Sequence, residues 1–358
     1  MSPLPRRDFV RLSTLTSLGI VTSTRAQNAQ PARIRIGQIG TGHAHASGKM
    51  GTIRKSEDFE VVGIVEPHAE LRAKAEKSAT YQGVPWMTEE QLLNTPGLQA
   101  VAVETQVKDL VPTATRCIAA GKHIHLDKPG GESLPAFKAM RDDATRRKLT
   151  VQMGYMFRYN PAFVLCFRLL HEGALGEVFS IDAQMSKLIG ANERKGLLPY
   201  RGGSMFELGC HVIDAVITVL GRPDKVTPHN RSVSALGDGW SDNDLAVFDY
   251  PRATATVRSA MVEVEGGSRR NFIVCGTKGT FQIQPLEPPA ARLALDASHG
   301  EFKKGYQDVQ FPKAGGRYDA DFADFAKVIR GEKALEFTPE HDLAVQETLL
   351  LACGLPLT

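Results

Sequence analysis

Cysteine is sparse in this chain, and its positions matter more than its number. Cys117, Cys166, Cys210, Cys275 and Cys353 are scattered through apolar contexts without a CxxC. That argues against a disulfide framework or a thiolate metal centre and for small buried thiols. No run of about 20 apolar residues occurs, so nothing is expected to span a membrane in the mature form. Charge of one sign is scarce as well. Lys and Arg total 43 against 40 Asp and Glu, and a net +3 is too dispersed to suggest nucleic acid. Internal repeats and low-complexity segments are absent. What remains is 42% hydrophobic and 23% charged, the balance of a globular protein. At 358 residues it is longer than one core usually supports, which predicts two domains.

Residues 1–30 look like an address. Arg6-Arg7 precede Asp8-Phe9, a modest apolar stretch runs from Leu12 to Val21, and Arg25-Ala26 follows. The layout resembles a twin-arginine signal. It implies a precursor handled by the twin-arginine machinery and a folded, cofactor-loaded protein in the periplasm or otherwise exported.

Behind it the pattern changes. Ile34 to Ile39 reads as a strand that breaks into Gly40-Thr41-Gly42, followed by His43 and a helix. The first glycine permits a tight turn, the second lets backbone approach a pyrophosphate, and the helix start offers free N–H groups to the anion. A second strand, "FEVVGIV", ends in Glu66 at the distance expected of a ribose-binding carboxylate. That carboxylate favours NAD, while Arg72 keeps NADP open. His45 stands where the fingerprint has its third glycine. The pairs His43/His45 and His123/His125 each lack a third partner at a metal-site spacing, so no metal is expected. Helices and apolar strands then alternate through "LQAVAVET", "HIHLDKP" and "VQMGYM", as in a parallel sheet covered on both faces. Lys128 falls at a strand end, where such sheets bind ligands, and Pro129 stops that strand. The expected layout is a Rossmann domain over 31–152. A second α/β domain with an open, mainly antiparallel sheet follows over 153–358, its late helix packing back on the first.

The motifs "GQIGTGH", "VGIVEP", "AAGKHIHLDKP", "VQMGYMFRYNPAF", "GGSMFELGCHVID" and "CGTKGTF" together resemble the Gfo/Idh/MocA family. The resemblance implies a nicotinamide cofactor (NAD, with NADP possible), a sugar or polyol substrate, and a homo-oligomer. It maps the family's lysine motif onto Asp127-Lys128-Pro129, with aspartate for the usual glutamate. The Asp-x-x-x-His pair maps onto Glu207 and His211. The loop after the third strand reads "ETQVKDL", keeping Thr105 as a nucleotide contact but putting Leu110 near the family's histidine.

Read physically, Glu207 and His211 are four apart on an expected helix from Ser204 to Leu220, so the carboxylate could orient the ring and raise its proton affinity. Ser204 to Glu207 also reads as a capping box. Lys128 beside a positively charged nicotinamide would have a lowered pKa and could polarise a substrate hydroxyl. His211 is the expected acid/base; the reverse assignment stays open. Asp127 and Lys128 are also expected to touch the cofactor. Tyr155, Arg158, Tyr159 and Asn160 suit a polyhydroxylated ligand, and equally a hydrogen-bond network at a domain junction. Arg194, Tyr200 and Arg201 lie on an expected mobile segment over the site, where Tyr200 above all is a candidate contact for an acidic or sugar substrate, a plain flexible loop being the equal alternative.

Outside the cytoplasm free NAD(H) is scarce, so the nucleotide is expected to be tightly held. Two chemistries fit that demand: oxidoreduction between substrates, which is the leading expectation, and a redox-neutral glycosidase or lyase working by transient oxidation and elimination. A non-catalytic sugar-binding homologue is the third.

Overall fold

Apolar strands separated by amphipathic helices bury both faces only in a doubly covered parallel sheet, and the first half of the computed structural model has that form. The structure describes residues 32–311 and 315–358, so the arginine-pair leader lies outside the described residues. β1 (Ile34–Ile39), α1 (Ala46–Lys55), β2 (Phe59–Val65), α2 (Ala69–Ala75) and α3 (Glu89–Leu93) come first. β3 (Ala100–Val103), α4 (Val107–Ala119), β4 (His123–Leu126), α5 (Leu134–Arg146) and β5 (Val151–Met153) complete this part. The strands form one parallel sheet in the order β2-β1-β3-β4-β5. All four residues of β3 are wholly buried, which accounts for the uninterrupted AVAV.

Parallel strands end on a common edge. Gly40, Glu66, Thr105, Lys128 and Gly154 leave, or lie just beyond, the ends of β1, β2, β3, β4 and β5 on that edge. Gly40 has φ +93, and a Cβ there would meet the Thr105 backbone nitrogen at 2.4 Å. Only glycine lets the exits of β1 and β3 pass so closely.

A 3-10 turn, Met156–Tyr159, leads into α6 (Pro161–His171). β6 (Val178–Ser186), α7 (Ala191–Leu197), a π turn over Met205–Gly209 and α8 (Cys210–Leu220) follow. Next come β7 (Lys225–Arg231), β8 (Asn243–Asp249), β9 (Thr254–Ala260), α9 (Gly266–Arg269), β10 (Asn271–Gly276), β11 (Gly279–Ile283), β12 (Ala291–Leu295) and β13 (Gly305–Val309). These eight strands pair as β13-β12-β11-β10-β6-β9-β8-β7, antiparallel except for β6 with β9. The expected mainly antiparallel sheet is therefore present, with hairpins at 250–253 and 276–279.

α10 (Asp319–Ile329) and α11 (Pro339–Ala352) close the chain. Thr338 caps α11 by accepting from the His341 amide, with Pro339 in the first turn, as the sequence predicts. Both helices return to the first sheet. The Asp321 carboxylate lies 3.0 Å from His125 Nε2, and Gln346 Oε1 accepts from the Gly130 amide at 2.9 Å. Among the described residues, no helix is long and apolar enough to cross a membrane.

Candidate active site

The exit of β4 is built on a buried carboxylate. Asp127 is fully buried, and its Oδ1 accepts from the Lys128 amide at 2.7 Å. Its Oδ2 lies 2.8 Å from both His43 Nδ1 and Lys49 Nζ, while His45 Nδ1 lies 3.3 Å from Oδ1. Burial opposes the charge, yet His43, Lys49 and His45 together hold this carboxyl well below the usual range. Enclosed by these groups, Asp127 organises the turn that carries Lys128. His43 closes the clamp from the other side, its Nε2 standing 3.0 Å from the Lys128 carbonyl oxygen. The Lys128 peptide is thus gripped at both its N–H and its C=O.

His43, His45 and Asp127 bring three ligand-type atoms within 4.8 Å, a third partner that linear spacing does not reveal. Lys49 already supplies the compensating cation there, so the group reads as an ion cluster. Lys49 also donates to Glu104 Oε1 at 2.9 Å. Burial and the nearby Asp127 push the Glu104 carboxyl well above its ordinary pKa.

From this clamp the Lys128 side chain reaches the π turn, where Nζ donates to the Glu207 carbonyl oxygen at 2.8 Å and lies 3.7 Å from the Glu207 carboxylate. Burial works against its charge, but Glu207, Cys210 and Asp127 outweigh it and raise the pKa. Among these protein groups the ammonium is therefore stable.

His211 begins the second turn of this region and is almost wholly buried. Its ring packs 5.9 Å from that of His45 and 5.7 Å from that of Phe157, and its Nδ1 has no hydrogen-bond partner. Burial, then Lys128 and His45, hold its pKa well below 6.5. Here the expectation changes, because no hydrogen bond joins Glu207 to His211 and the carboxylate serves Lys128. The reason is local geometry: Met205–Gly209 is a π turn, which alters the i, i+4 alignment of a regular helix. The capping box is likewise absent, since Ser204 spends its hydroxyl on Asp244 and the Ser259 carbonyl. Lys128 and His211 nonetheless lie close enough for the ammonium to depress the imidazole's proton affinity.

The nucleotide side of the crevice lies beyond β1, β2 and β3. A cavity of about 220 Å³ there is lined by Glu66, Leu71, Thr105, Gln106, Asp109 and Arg116, among others. Glu66 accepts from the Thr41 amide at 2.6 Å, from the Thr41 hydroxyl at 2.8 Å and from the His68 amide at 3.0 Å. A carboxylate fixed at this wall suits a ribose diol. At Gly42 a Cβ would meet Leu71 Cδ1 at 3.0 Å, Gln106 Cγ at 3.1 Å and the Gln106 backbone nitrogen at 3.5 Å, so a bare α-carbon suits this close turn, as in a diphosphate-binding loop. These residues fit a dinucleotide. Arg72 faces elsewhere, paired with Glu76 at 2.9 Å and lying 5.3 Å over the Trp86 ring.

Two of the four expected substrate residues belong to the scaffold. Arg158 is buried in bidentate contact with Asp214 and bonded to Asp342 at 2.7 Å, a network completed by Arg141 and His341. Asn160 caps α6 by accepting from the Ala162 amide at 3.0 Å and donates to the Leu286 carbonyl. Their polar atoms are engaged by the fold, as in the hydrogen-bond network at a domain junction that the sequence equally suggested. Tyr155 stays beside the site, its ring 6.2 Å from His211, and burial holds its hydroxyl protonated. Tyr200 is half-buried, and its hydroxyl faces the Val107 amide at the start of α4. The segment carrying it is fastened rather than loose: Arg194 bonds Asp238 and Asp242, and Arg201 pairs with Glu132 at 2.6 Å.

Comparison with known proteins agrees with this geometry. Residues 34–155 match the model of the oxidoreductase family with an NAD-binding Rossmann fold, and residues 163–282 match that of the GFO/IDH/MocA C-terminal domain, together more than half of the chain. The chain belongs to the Gfo/Idh/MocA family. Among its relatives is an uncharacterized oxidoreductase of Escherichia coli, YhhX, 25% identical over 70% of each chain. Another is the trans-1,2-dihydrobenzene-1,2-diol dehydrogenase of Sus scrofa, 25% identical over 69% of this chain and 76% of that one. GenD2 from gentamicin A biosynthesis, solved with NAD, superposes with a TM-score of 0.74 at 20% identity, covering 90% of this chain and 94% of its own. The Actinomadura kijaniata 3-ketoreductase KijD10, solved with TDP-benzene and NADP, gives 0.72 at 18% identity over 90% and 96%. These two share the fold.

This Gfo/Idh/MocA chain is thus an oxidoreductase with an NAD(P)-binding Rossmann domain. Sequence reasoning missed Lys49, Glu104 and Gly154. Ala46, Met50 and Ile53 mark the inward stripe of α1, and Lys49 falls on it, a lone charge at a core position that could have raised the question. Gly154 leaves room for it, since a Cβ there would stand 2.6 Å from Lys49 Nζ.

Proposed function

We propose that this protein moves a hydride between a CH–OH carbon of a sugar or polyol and a tightly held nicotinamide, preferring NAD, after twin-arginine export. The observation that carries the reading is the proximity of a buried ammonium, Lys128, and a buried neutral imidazole, His211, at the strand edge next to the glycine turn. Gly40, Thr41, Gly42, His43, Glu66 and Thr105 form the nucleotide wall. Bound there, the nicotinamide accepts or returns a hydride. Lys128 donates a hydrogen bond to the reacting oxygen and favours its charge as the proton leaves. His211, a buried neutral imidazole, takes that proton on its ring. Glu66 and the outward turn of Arg72 favour NAD, because a carboxylate repels a 2′-phosphate. A relative named as a diol dehydrogenase supports a hydroxyl-bearing substrate.

The test is to purify the protein, denature it and identify the released nucleotide and its redox state, before and after incubation with aldoses, inositols and a chromogenic glycoside. Released NAD(H) whose redox state follows one of the sugars supports the reading; a protein that neither releases nor binds NAD(P) overturns it. The Arg6-Arg7 leader favours one second reading, redox-neutral elimination, because export removes the cofactor pool. Aglycone release without added acceptor marks that chemistry.

A further inference from the structure

The third position of the glycine fingerprint holds His45, whose ring has a specific environment. It stands at the N-cap of α1 yet makes no capping bond. Its Nδ1 turns to Asp127 Oδ1, and its face lies beside His211, at 5.9 Å between centroids, and Tyr318, at 5.8 Å. Among the described residues, Nε2 makes no hydrogen bond. An imidazole whose Nδ1–H is held by a carboxylate keeps Nε2 as a free acceptor and gains a counter-charge if a proton arrives.

We propose that His45 and Asp127 form the second stage of a proton relay whose first stage is His211. This rests on the reading above. The O–H bond of the substrate hydroxyl breaks as its carbon yields a hydride to the nicotinamide, and the proton goes to the neutral His211 ring. His211 then releases its other ring proton to His45 Nε2, leaving His211 neutral in the opposite tautomer, and Asp127 balances the His45 imidazolium until solvent takes the proton.

Three observations support the relay. His211 is buried, faces Lys128 and has no carboxylate partner, so it cannot keep a proton. His45 keeps a partly exposed side chain, which gives the proton a way out. Asp127 is prepared to remain ionised, since Lys49 and His43 stand at 2.8 Å from its Oδ2. The groups facing His45 are Asp127, which raises its proton affinity, and Lys128, His43 and His211, with Tyr318 alongside. Burial outweighs Asp127 and lowers the His45 pKa to about 4, so the ring is neutral and ready to accept at neutral pH.

The test uses the whole protein, ¹⁵N-labelled at histidine, with His45→Gln for assignment. Long-range ¹H–¹⁵N spectra at pH 7 should show His45 neutral with the proton on Nδ1, and Asp127→Asn should weaken that preference while His125 keeps its spectrum. A proton on Nε2, or an imidazolium at pH 7, overturns the relay, and nucleotide binding measured on the same sample shows separately whether the functional reading stands. With any sugar found to reduce bound NAD, His45→Gln should slow single-turnover reduction by roughly 100-fold and abolish its solvent isotope effect. Unchanged rate and isotope effect overturn the relay as well.

Discussion

Among the buried charge clusters of the described residues, two invite comparison because they are made of different residues. At the junction of the halves, Arg158 and Arg141 face Asp214 and Asp342, guanidinium against carboxylate. At the strand edge, Lys49 and Lys128 meet Asp127, Glu207 and the imidazoles of His43, His45 and His211. Both are desolvated, so burial alone does not mark a reaction site. What separates them is which cations do most of the pairing, arginines at the junction, where His341 joins through Asp214, against lysines and histidines at the strand edge. Arginine keeps its charge at any working pH and suits a permanent joint, whereas lysine and histidine exchange protons and suit chemistry.

Changing a member of each cluster should separate activity from stability. Lys128→Met should produce the largest effect, lowering the rate of bound-NAD reduction by a sugar by roughly 10³-fold, within the range for a removed proton-handling group, with smaller change in KM. Stopped-flow absorbance of the bound nucleotide measures it. Arg158→Met should instead lower stability by about 3 kcal/mol, because Asp214 and Asp342 lose the guanidinium they share and keep only His341 and Arg141 as partners, and urea unfolding reads the loss.

Acid should act on the strand-edge cluster first. The folded pKa of His45, about 4, lies below the ordinary 6.5, so the unfolded chain binds its proton more readily. That stability is fully present above about pH 6.5 and falls as the pH drops towards 4, by on the order of 3 kcal/mol for this ring. His211, also depressed, adds to the loss over the same descent. Urea midpoints between pH 7 and pH 4 should therefore fall in the parent and fall less in His45→Gln. The smallest effect belongs to a residue that only caps a helix. Asn160→Ala should cost about 1 kcal/mol, and Asn160→Asp should restore most of it, as thermal melts will show.

The sequence conveyed the frame well because frame and pattern share a cause. β1 occupies the expected Ile34–Ile39, and Thr338-Pro339 opens α11 as expected, since apolar period and capping chemistry are local. β7, β12 and β13 were not read. β7 and β13 are the sheet's two edges, where one flank is unpaired and polar residues, even Pro228, are tolerated. At the site, Lys128 and His211 were legible from motif and strand end. For Arg158 and Asn160 the sequence left two readings open, because a guanidinium beside an amide reads the same whether its partner is a sugar or a carboxylate 56 residues away. Glu207 was linked to the wrong neighbour because nothing in "GGSMFELGCH" announces a π turn.

The bare α-carbon of residue 154 carries a consequence for how this protein can change over evolutionary time. It vacates the volume into which the Lys49 ammonium fits, so the two positions are coupled. A descendant gaining a methyl group at 154 would have to displace the lysine tip, and with it a cation 2.8 Å from Asp127. Lineages should therefore favour glycine with lysine, or a larger residue with an uncharged one, over the mixed combinations.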